Sequence, residues 1–271
     1  MKYDVIIVGG GAAGVSAALY TVRAGYKTLI AAKDNGALAK AEKIENYFGF
    51  ATTTGAELLA QARAQAVRLG VNIVNAEVFG ITETEYGFEV ETSTANYSAR
   101  AVVLAVGKQR KKPNIKRLDE FEGRGVSYCA VCDGAFYRGK NVAVIGKGEY
   151  AQNEAKYLET IVATVTVIDE ANVTEITPNN DGKKVGGLRL SDGNVTEFDG
   201  VFVAVGTAGA FDFAKKLGLE IQNGNLITDD KQMTVVPMLF AAGDCTGGLL
   251  QIAKAVGEGA IAGNAAVDML K

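Results

Sequence analysis

Twice along the chain, a short β-branched run ends in a glycine-rich turn and passes into a stretch with helical spacing. Residues 3–8 form the first run, which ends at Gly9-Gly10-Gly11-Ala12-Ala13-Gly14. An Ala-rich helical pattern then continues to Ala24, Gly25 stops it, and residues 28–31 predict a second strand. Thr54 is placed to cap a helix over residues 55–69, which Gly70 ends. Strand-like segments follow at 72–77, 80–84 and 88–92, and the apolar run 101–106 closes this block at Gly107. A basic, proline-broken connector over residues 108–117 leads to the second β-α-β. It has a strand over 141–145, the turn Gly146-Lys147-Gly148-Glu149-Tyr150-Ala151, a helix to about Thr160 and a strand over 165–168. Residues 201–205 with Gly206 echo 101–107, and strand-like pieces at 226–228 and 238–241 precede a C-terminal helix over 251–270. The pattern predicts an α/β protein of two related nucleotide-binding-type domains, the second inserted into the first.

Composition narrows this picture only slightly. A chain of 271 residues with 48% hydrophobic residues can bury a sizeable core in one or two domains. A formal net charge of −3 gives no general attraction to nucleic acid. The start, Met1-Lys2-Tyr3-Asp4-Val5, enters an apolar strand without the layout of a signal peptide, and no apolar run reaches the roughly 18 residues of a membrane span. A soluble cytoplasmic protein with no membrane contact is expected.

The first glycine turn has the spacing of a dinucleotide site. Gly9 permits a tight turn, Gly11 the close approach of a pyrophosphate, and Gly14 close packing of helix on strand. The helix start at Ala12 and Ala13 adds N–H groups and a favourable dipole. The acidic ribose partner expected about 20 residues on is missing. The second strand ends Ala31-Ala32-Lys33, with only Asp34 nearby, so ribose contacts must come from elsewhere.

The chemistry is concentrated in Cys129-Ala130-Val131-Cys132-Asp133. Two thiols at this spacing can close into a small disulfide, and an adjacent carboxylate can move a proton. Three cysteines fit no even-numbered disulfide framework, so the C-x-x-C indicates redox or metal chemistry. A four-ligand metal site needs two more donors, yet the chain has no histidine and Cys245 is far off in sequence, so no metal is expected. The absence of histidine leaves Asp133 as the nearby proton acceptor that a thiolate requires. A pair of buried structural cysteines is the competing reading. Cys245 reads as a small buried residue rather than a third redox centre.

Further motifs carry a family resemblance. Ala241-Ala242-Gly243-Asp244, followed by Gln251 and Gly257-Glu258-Gly259-Ala260, resembles the flavin-contacting end of the low-molecular-weight thioredoxin reductases. Glu45-Asn46-Tyr47-Phe48-Gly49 resembles their E-N-x-P-G segment, with Phe48 in place of proline, and Ala105-Val106-Gly107 resembles their A-T-G. With C-A-V-C-D, the resemblance covers essentially the whole chain. It implies two Rossmann-like domains of the three-layer ββα, FAD/NAD(P)-binding type. The first is a discontinuous FAD-binding domain (residues 1–108 and 211–271); the second is a smaller inserted redox domain (residues 109–210). It also implies a homodimer, and a rotation that shows the dithiol alternately to flavin and to thioredoxin. Carried over position by position, FAD would contact Gly9, Gly11, Ala12, Ala13, Gly14, Glu45, Asn46, Gly107, Gly243, Asp244, Gln251 and Ile252. Cys132 would be the sulfur nearest the flavin, Cys129 the one exchanging with thioredoxin, and Asp133 the acid–base.

The chain departs from the family where the nicotinamide nucleotide would bind. NADPH-dependent members follow the strand matching residues 165–168 with a basic H-R-R-x-x-x-R segment. Here Asp169-Glu170-Ala171-Asn172 follows, which would repel a 2′-phosphate. The next strand-like piece, residues 173–176, begins after only those four residues, whereas a parallel crossover through a helix needs at least ~10–12. A layer of the usual domain is therefore expected to be absent. Gly206-Thr207-Ala208-Gly209 also lacks the family's G-x-x-P-N. Asp169 stands where an acid would bind a ribose 2′-hydroxyl and select NADH, or it merely ends a strand in solvent; the missing layer favours the second reading.

These losses resemble those of the ferredoxin-dependent flavin thioredoxin reductases. Lys108, Arg110, Lys111, Lys112, Lys116 and Arg117 form a candidate docking patch for an acidic ferredoxin, or a solvated basic linker. The expected function is thioredoxin reduction through FAD and the Cys129–Cys132 pair, with electrons from ferredoxin. The alternatives are an NADH-dependent or, less in keeping with the acids, an NADPH-dependent reductase; an FAD dithiol oxidase using oxygen; and a non-enzymatic flavoprotein scaffold or redox sensor.

Overall fold

The computed structural model describes residues 1–107, 113–128, 130–205 and 210–271, the side chains of residues 131, 132, 149 and 210–212 excepted. The chain forms two compact units, Met1–Gln109 with Gly209–Lys271, and Arg110–Ala208. Lys108, Arg110, Lys111, Lys112 and Cys129 lie outside the described residues, as does the Gly206–Gly209 segment.

In the first unit, β1 (Lys2–Val8) leads through the glycine turn into α1 (Ala12–Arg23) and back along β2 (Thr28–Ala31). Then come α2 (Gly55–Arg68), β3 (Asn72–Val74), β4 (Val78–Thr84), β5 (Gly87–Thr92) and β6 (Asn96–Leu104). Thr54 and Glu57 close a reciprocal capping box at the start of α2, satisfying two of the helix's orphan N–H groups. β3, β2, β1 and β6 are parallel neighbours, and β4 and β5 extend the sheet as an antiparallel meander from the first half of β6.

The second unit contains β7 (Val126–Ser127), α3 (Ala130–Asp133), β8 (Asn141–Ile145), α4 (Glu149–Glu159) and β9 (Thr164–Ile168). It continues with β10 (Val173–Pro178), β11 (Val185–Leu190), β12 (Val195–Glu197) and β13 (Gly200–Val203). β7, β13, β8 and β9 make a parallel sheet in that order, while β10, β11 and β12 form a separate antiparallel sheet. Ile145, Val201, Phe121, Ile176, Leu188 and Phe198 fill this unit's core. β10 thus turns away from the parallel sheet instead of extending it, and β9 is left at the sheet edge.

The chain then returns to the first unit as α5 (Ala210–Leu217), β14 (Ile221–Gln222), β15 (Asn225–Leu226), β16 (Leu239–Ala241) and α6 (Ile252–Leu270). β16 lies parallel to the second half of β6. α6 packs along α1 over small residues: a Cβ at Gly259 would lie 2.1 Å from the Ala13 carbonyl oxygen, and one at Gly263 would lie 2.5 Å from that of Ala17. Val5, Ile7, Val103, Phe240, Ala17 and Ala262 belong to the core formed by sheet and helices.

Several expected strands are cut back in the structure. Residues 72–77 pair only as far as Val74, because the chain then bends so that Ala76 N–H reaches the Ala32 carbonyl. The runs 101–106 and 201–205 stop at Leu104 and Val203 for a shared reason. The carbonyls of Ala105 and Ala204 abut the glycine turns, where a Cβ on Gly9 or on Gly146 would come within 2.2 Å or 2.1 Å of them. Residues 226–228 yield only the two-residue β15.

Candidate flavin site and dithiol site

The C-terminal ends of β1, β6 and β16 converge on the first glycine turn, the position at which parallel α/β sheets bind ligands. Gly9 has φ +107° and lies against Ala105, and Gly14 lets α1 rest on the Gly9 carbonyl. Gly11 differs: a Cβ there would meet nothing within 4 Å. No side chain caps α1 at Gly11, so its first N–H groups are available to an anion. An open cradle over a helix N-terminus suits the pyrophosphate of a dinucleotide. Gly243, at φ +90°, brings the Gly243-Asp244 turn to the same place, since its Cβ would lie 2.9 Å from that of Ala13. Asn46 Nδ2 donates to Gln251 Oε1 at 3.0 Å, joining the 45–49 segment to the start of α6 at Ile252. Glu45 is instead held at the surface by Lys43, at 2.8 Å. Gly107 follows β6 in the left-handed conformation, φ +70°.

Arg63 reaches from α2 to the first glycine turn and to the loop after β2. Its Nε and Nη2 donate to the Gly10 carbonyl at 3.1 and 2.9 Å, Nη2 also reaches the Asp34 carbonyl at 3.1 Å, and Nη1 reaches Asn35 Oδ1. One guanidinium thus fastens the glycine turn to the loop after β2. Burial lowers its pKa, against the opposing pull of Asp34. Lys33, beside it in the chain, pairs with the buried Glu77. Sequence reasoning passed over Arg63 although a signal was present: it sits on α2 between the buried Leu59 and Ala66, at core-facing spacing.

In the second unit, α3 carries Ala130-Val131-Cys132-Asp133 of the C-x-x-C-D segment. Ser127 Oγ donates to Asp133 Oδ2 at 2.6 Å, and the Ala130 N–H donates to Glu154 Oε2 at 2.8 Å. Glu154 is buried on α4, in line with Ala151, Ala155 and Leu158, so it too is a charged residue on a core-facing stripe. The Tyr137 phenol is held above its ordinary pKa by burial and then by the negative charge of Asp133. Asp133 and the Ala130 backbone are therefore each held by a buried polar partner.

The second glycine turn repeats the first in its close approach to the neighbouring strand end but not in its other surroundings. Gly146 meets Ala204 as Gly9 meets Ala105, and Gly148 is open. Asp169, however, is engaged on both oxygens: Oδ1 accepts from the Ala171 N–H at 2.9 Å, and Oδ2 faces Lys147 Nζ at 3.3 Å. The Ala171 hydrogen bond and then Lys147 hold its pKa down. Of the basic residues described, Lys116 is exposed, whereas Arg117 is turned onto Glu120 in a bidentate pair with both bonds at 2.8 Å, and it packs over Phe121. Among the described residues no cluster could hold a metal ion, and no helix is long and apolar enough to cross a membrane.

Residues 3–172 and 164–259 match the pyridine nucleotide-disulphide oxidoreductase family. The chain belongs to that family. The thioredoxin reductase of Bacillus subtilis (strain 168) is 35% identical over 291 residues, covering 96% of this chain and 92% of that protein. Among solved structures, the atypical thioredoxin reductase TRi from Desulfovibrio vulgaris Hildenborough superposes with a TM-score of 0.92 at 38% identity, covering 98% of this chain and 97% of that one. A ferredoxin-flavin thioredoxin reductase from Clostridium acetobutylicum gives 0.77 at 33%, covering 99% and 98%. Within the pyridine nucleotide-disulphide oxidoreductases, the chain is a flavoprotein of the thioredoxin reductase type, with FAD as its cofactor.

Cys245, next to Asp244, is buried away from this chemistry. Its Sγ contacts the carbonyls of Ala242 and Leu104 at 3.3 and 3.5 Å, and burial pushes its pKa from 9.0 up to about 12. A thiol raised in this way stabilises the fold below pH 9.0, and that stability is lost as pH rises towards about 12, because the unfolded thiol ionises first. The slope is about 1.4 kcal/mol per pH unit. Urea unfolding at pH 8 and pH 10 should show the parent losing about 1 kcal/mol more than Cys245→Ala. Equal losses would refute this assignment.

Proposed function

We propose that the protein reduces the disulfide of thioredoxin through FAD and the Cys129–Cys132 pair, and that ferredoxin supplies the electrons. The reading rests on the second unit. β10 leaves the parallel sheet, and Asp169 is committed to Lys147 and the Ala171 N–H, so neither the layer nor the free carboxylate that a nicotinamide nucleotide uses is present there. The similarity to a ferredoxin-flavin thioredoxin reductase supports the same donor.

The first unit is assigned to FAD, with the pyrophosphate on Gly9, Gly11, Ala12, Ala13 and Gly14, and the flavin end on Asn46, Gly107, Asp244, Gln251 and Ile252. Glu45, paired with Lys43, serves the segment that carries Asn46. When bound, FAD supplies a carrier that accepts single electrons and delivers them in pairs. The Cys129 thiolate attacks the thioredoxin disulfide, forming a mixed disulfide and releasing one thioredoxin thiolate. Cys132 then attacks Cys129, closing the Cys129–Cys132 disulfide and freeing the second thioredoxin thiol; two electrons pass to the substrate and two to re-reduce the pair. Asp133, held by Ser127, takes the proton from Cys132 and returns one to the leaving sulfur.

The basic connector is assigned to ferredoxin docking. Lys116 remains a candidate contact within it, and Arg117 is committed to Glu120. A homodimer in the cytoplasm completes the proposal.

Anaerobic titration with reduced ferredoxin, NADH and NADPH in parallel tests the donor. Ferredoxin should bleach the flavin and support thioredoxin reduction, at a rate that falls with salt. Rapid bleaching by NADPH would overturn the proposal, and bleaching by NADH alone would return Asp169 to ribose binding. Oxygen consumption with small dithiols would instead identify a dithiol oxidase.

A further inference from the structure

The turn that carries Asp244 rests on a pair of charges that the chemistry above does not use. Lys254 and Glu258 stand one turn apart on α6, their side chains 18% and 17% exposed, with Nζ and Oε2 at 2.9 Å. Lys254 Nζ also lies 2.9 Å from the Gly243 carbonyl, 2.9 Å from Thr246 Oγ1 and 2.5 Å from the Gly247 carbonyl. Glu258 Oε2 accepts from the Gly243 N–H at 2.8 Å and from Thr246 Oγ1 at 2.9 Å. The ammonium and carboxylate therefore grip Gly243 by both its N–H and its carbonyl, and hold Gly247 at the other end. Both glycines are in the left-handed region, at φ +90° and +81°, so the turn does not hold its shape through local preference.

Two physical arguments make this more than packing. A partly buried ion pair contributes little net stability, because desolvation offsets its attraction; what it contributes is geometry. Lys254 also sits in the first turn of α6, where a cation opposes the helix dipole. A lysine that breaks a local preference at this point is expected where the position serves a site. The turn it holds is the one that meets α1 at Ala13, on the pyrophosphate cradle.

The geometry points to Lys254 and Glu258 as positioning residues for FAD: a charged clamp that sets Asp244, and the start of α6 at Gln251 and Ile252, against the bound dinucleotide. The inference rests on the assignment of those three residues to the flavin site. Serial dilution of the holoenzyme, with released flavin read by fluorescence, gives the FAD Kd, and thermal melting at saturating FAD reports packing separately. Lys254→Met should raise Kd at least about tenfold, since it leaves Glu258 uncompensated and the Gly247 carbonyl without its donor, while the Gly243 carbonyl keeps only its bonds from Thr246. Glu258→Gln is isosteric and still accepts from Gly243 and Thr246, so it should raise Kd by about threefold and carries the test if Lys254→Met does not fold. Kd values within twofold of the parent in both variants, even with a lowered melting point, would reduce the pair to packing and overturn the inference. A parent that purified without stoichiometric FAD would instead count against the flavin site itself.

Discussion

Cys132→Ser should abolish thioredoxin reduction, lowering turnover by at least ~10³-fold, and should trap a covalent adduct with thioredoxin. Serine cannot close a disulfide, and its hydroxyl is not ionised near neutral pH, so the step that resolves the mixed disulfide is lost. Cys129 can still attack, and the adduct should accumulate and survive on a non-reducing gel. Cys129→Ser should be equally inactive and form no adduct, because the remaining sulfur is the one assigned to the flavin. The FAD content of both variants should match the parent, since neither residue belongs to the first unit. Asp133→Asn should cost about 10²–10⁴-fold while leaving adduct formation by Cys132→Ser possible, as expected for a proton carrier. An adduct formed by Cys129→Ser and not by Cys132→Ser would reverse the roles of the two sulfurs. More than a tenth of parental turnover in either cysteine variant would refute a disulfide mechanism.

The parts of the fold legible in the sequence were those whose residues solve a local problem. β1, the glycine turn and α1 could be read because Gly9 takes a positive φ and Gly14 rests on the Gly9 carbonyl within a few residues, and α2 because Thr54 and Glu57 cap it locally. The shortening after β9 was also visible, since a loop length is itself sequence information. The meander that replaces the missing layer was not anticipated. β11 contains Gly186 and Gly187, which look like a strand breaker, yet a Cβ at Gly187 would lie 2.2 Å from the Thr196 carbonyl, so the glycine is there to admit β12. The small hairpin of β14 and β15 carried a signal that was not used: Asn223 and Gly224 both have positive φ, 51° and 74°, the pair that a tight two-residue hairpin turn requires.

The site divided in the same way. Motif residues such as Gly11, Asp244 and Cys132 stand out in the sequence, but the residues that hold them do not. Arg63, Glu154, Lys254 and Glu258 act across 53, 24, 11 and 15 positions of chain, on Gly10, Ala130, Gly243 and Gly243 respectively. Each lies on or beside the buried stripe of a helix, and a charge there must find a buried partner. The helical spacing could have marked them as engaged; only the fold shows with what.

Gly14→Ala should destabilise the holoenzyme by about 3 kcal/mol or more and strip it of FAD, although in an unconstrained helix the same change would stabilise by about 1 kcal/mol. The sign is decided by the space available. A Cβ at Gly14 would lie 1.9 Å from the Gly9 carbonyl oxygen, more than 1 Å inside any tolerable contact, so either the turn or the helix must yield. The turn is fixed: the Gly9 N–H is bonded to the Ala31 carbonyl at 2.9 Å, and the other side of Gly9 lies against Ala105. The helix is fixed as well, because α6 meets its backbone at Ala13 and Ala17 with only hydrogen atoms of Gly259 and Gly263 between them. Moving α1 off the turn would drive it into α6 and shift its first N–H groups away from the pyrophosphate cradle. Gly257→Ala is the matched control. It lies in α6 with nothing within 4 Å of the new methyl, so helix propensity alone should act and the variant should be as stable as the parent or up to about 1 kcal/mol more stable. Urea unfolding together with the ratio of flavin to protein reads both effects. Gly14→Ala with parental stability and full flavin would show that the glycine turn is not the rigid pyrophosphate cradle assigned to it.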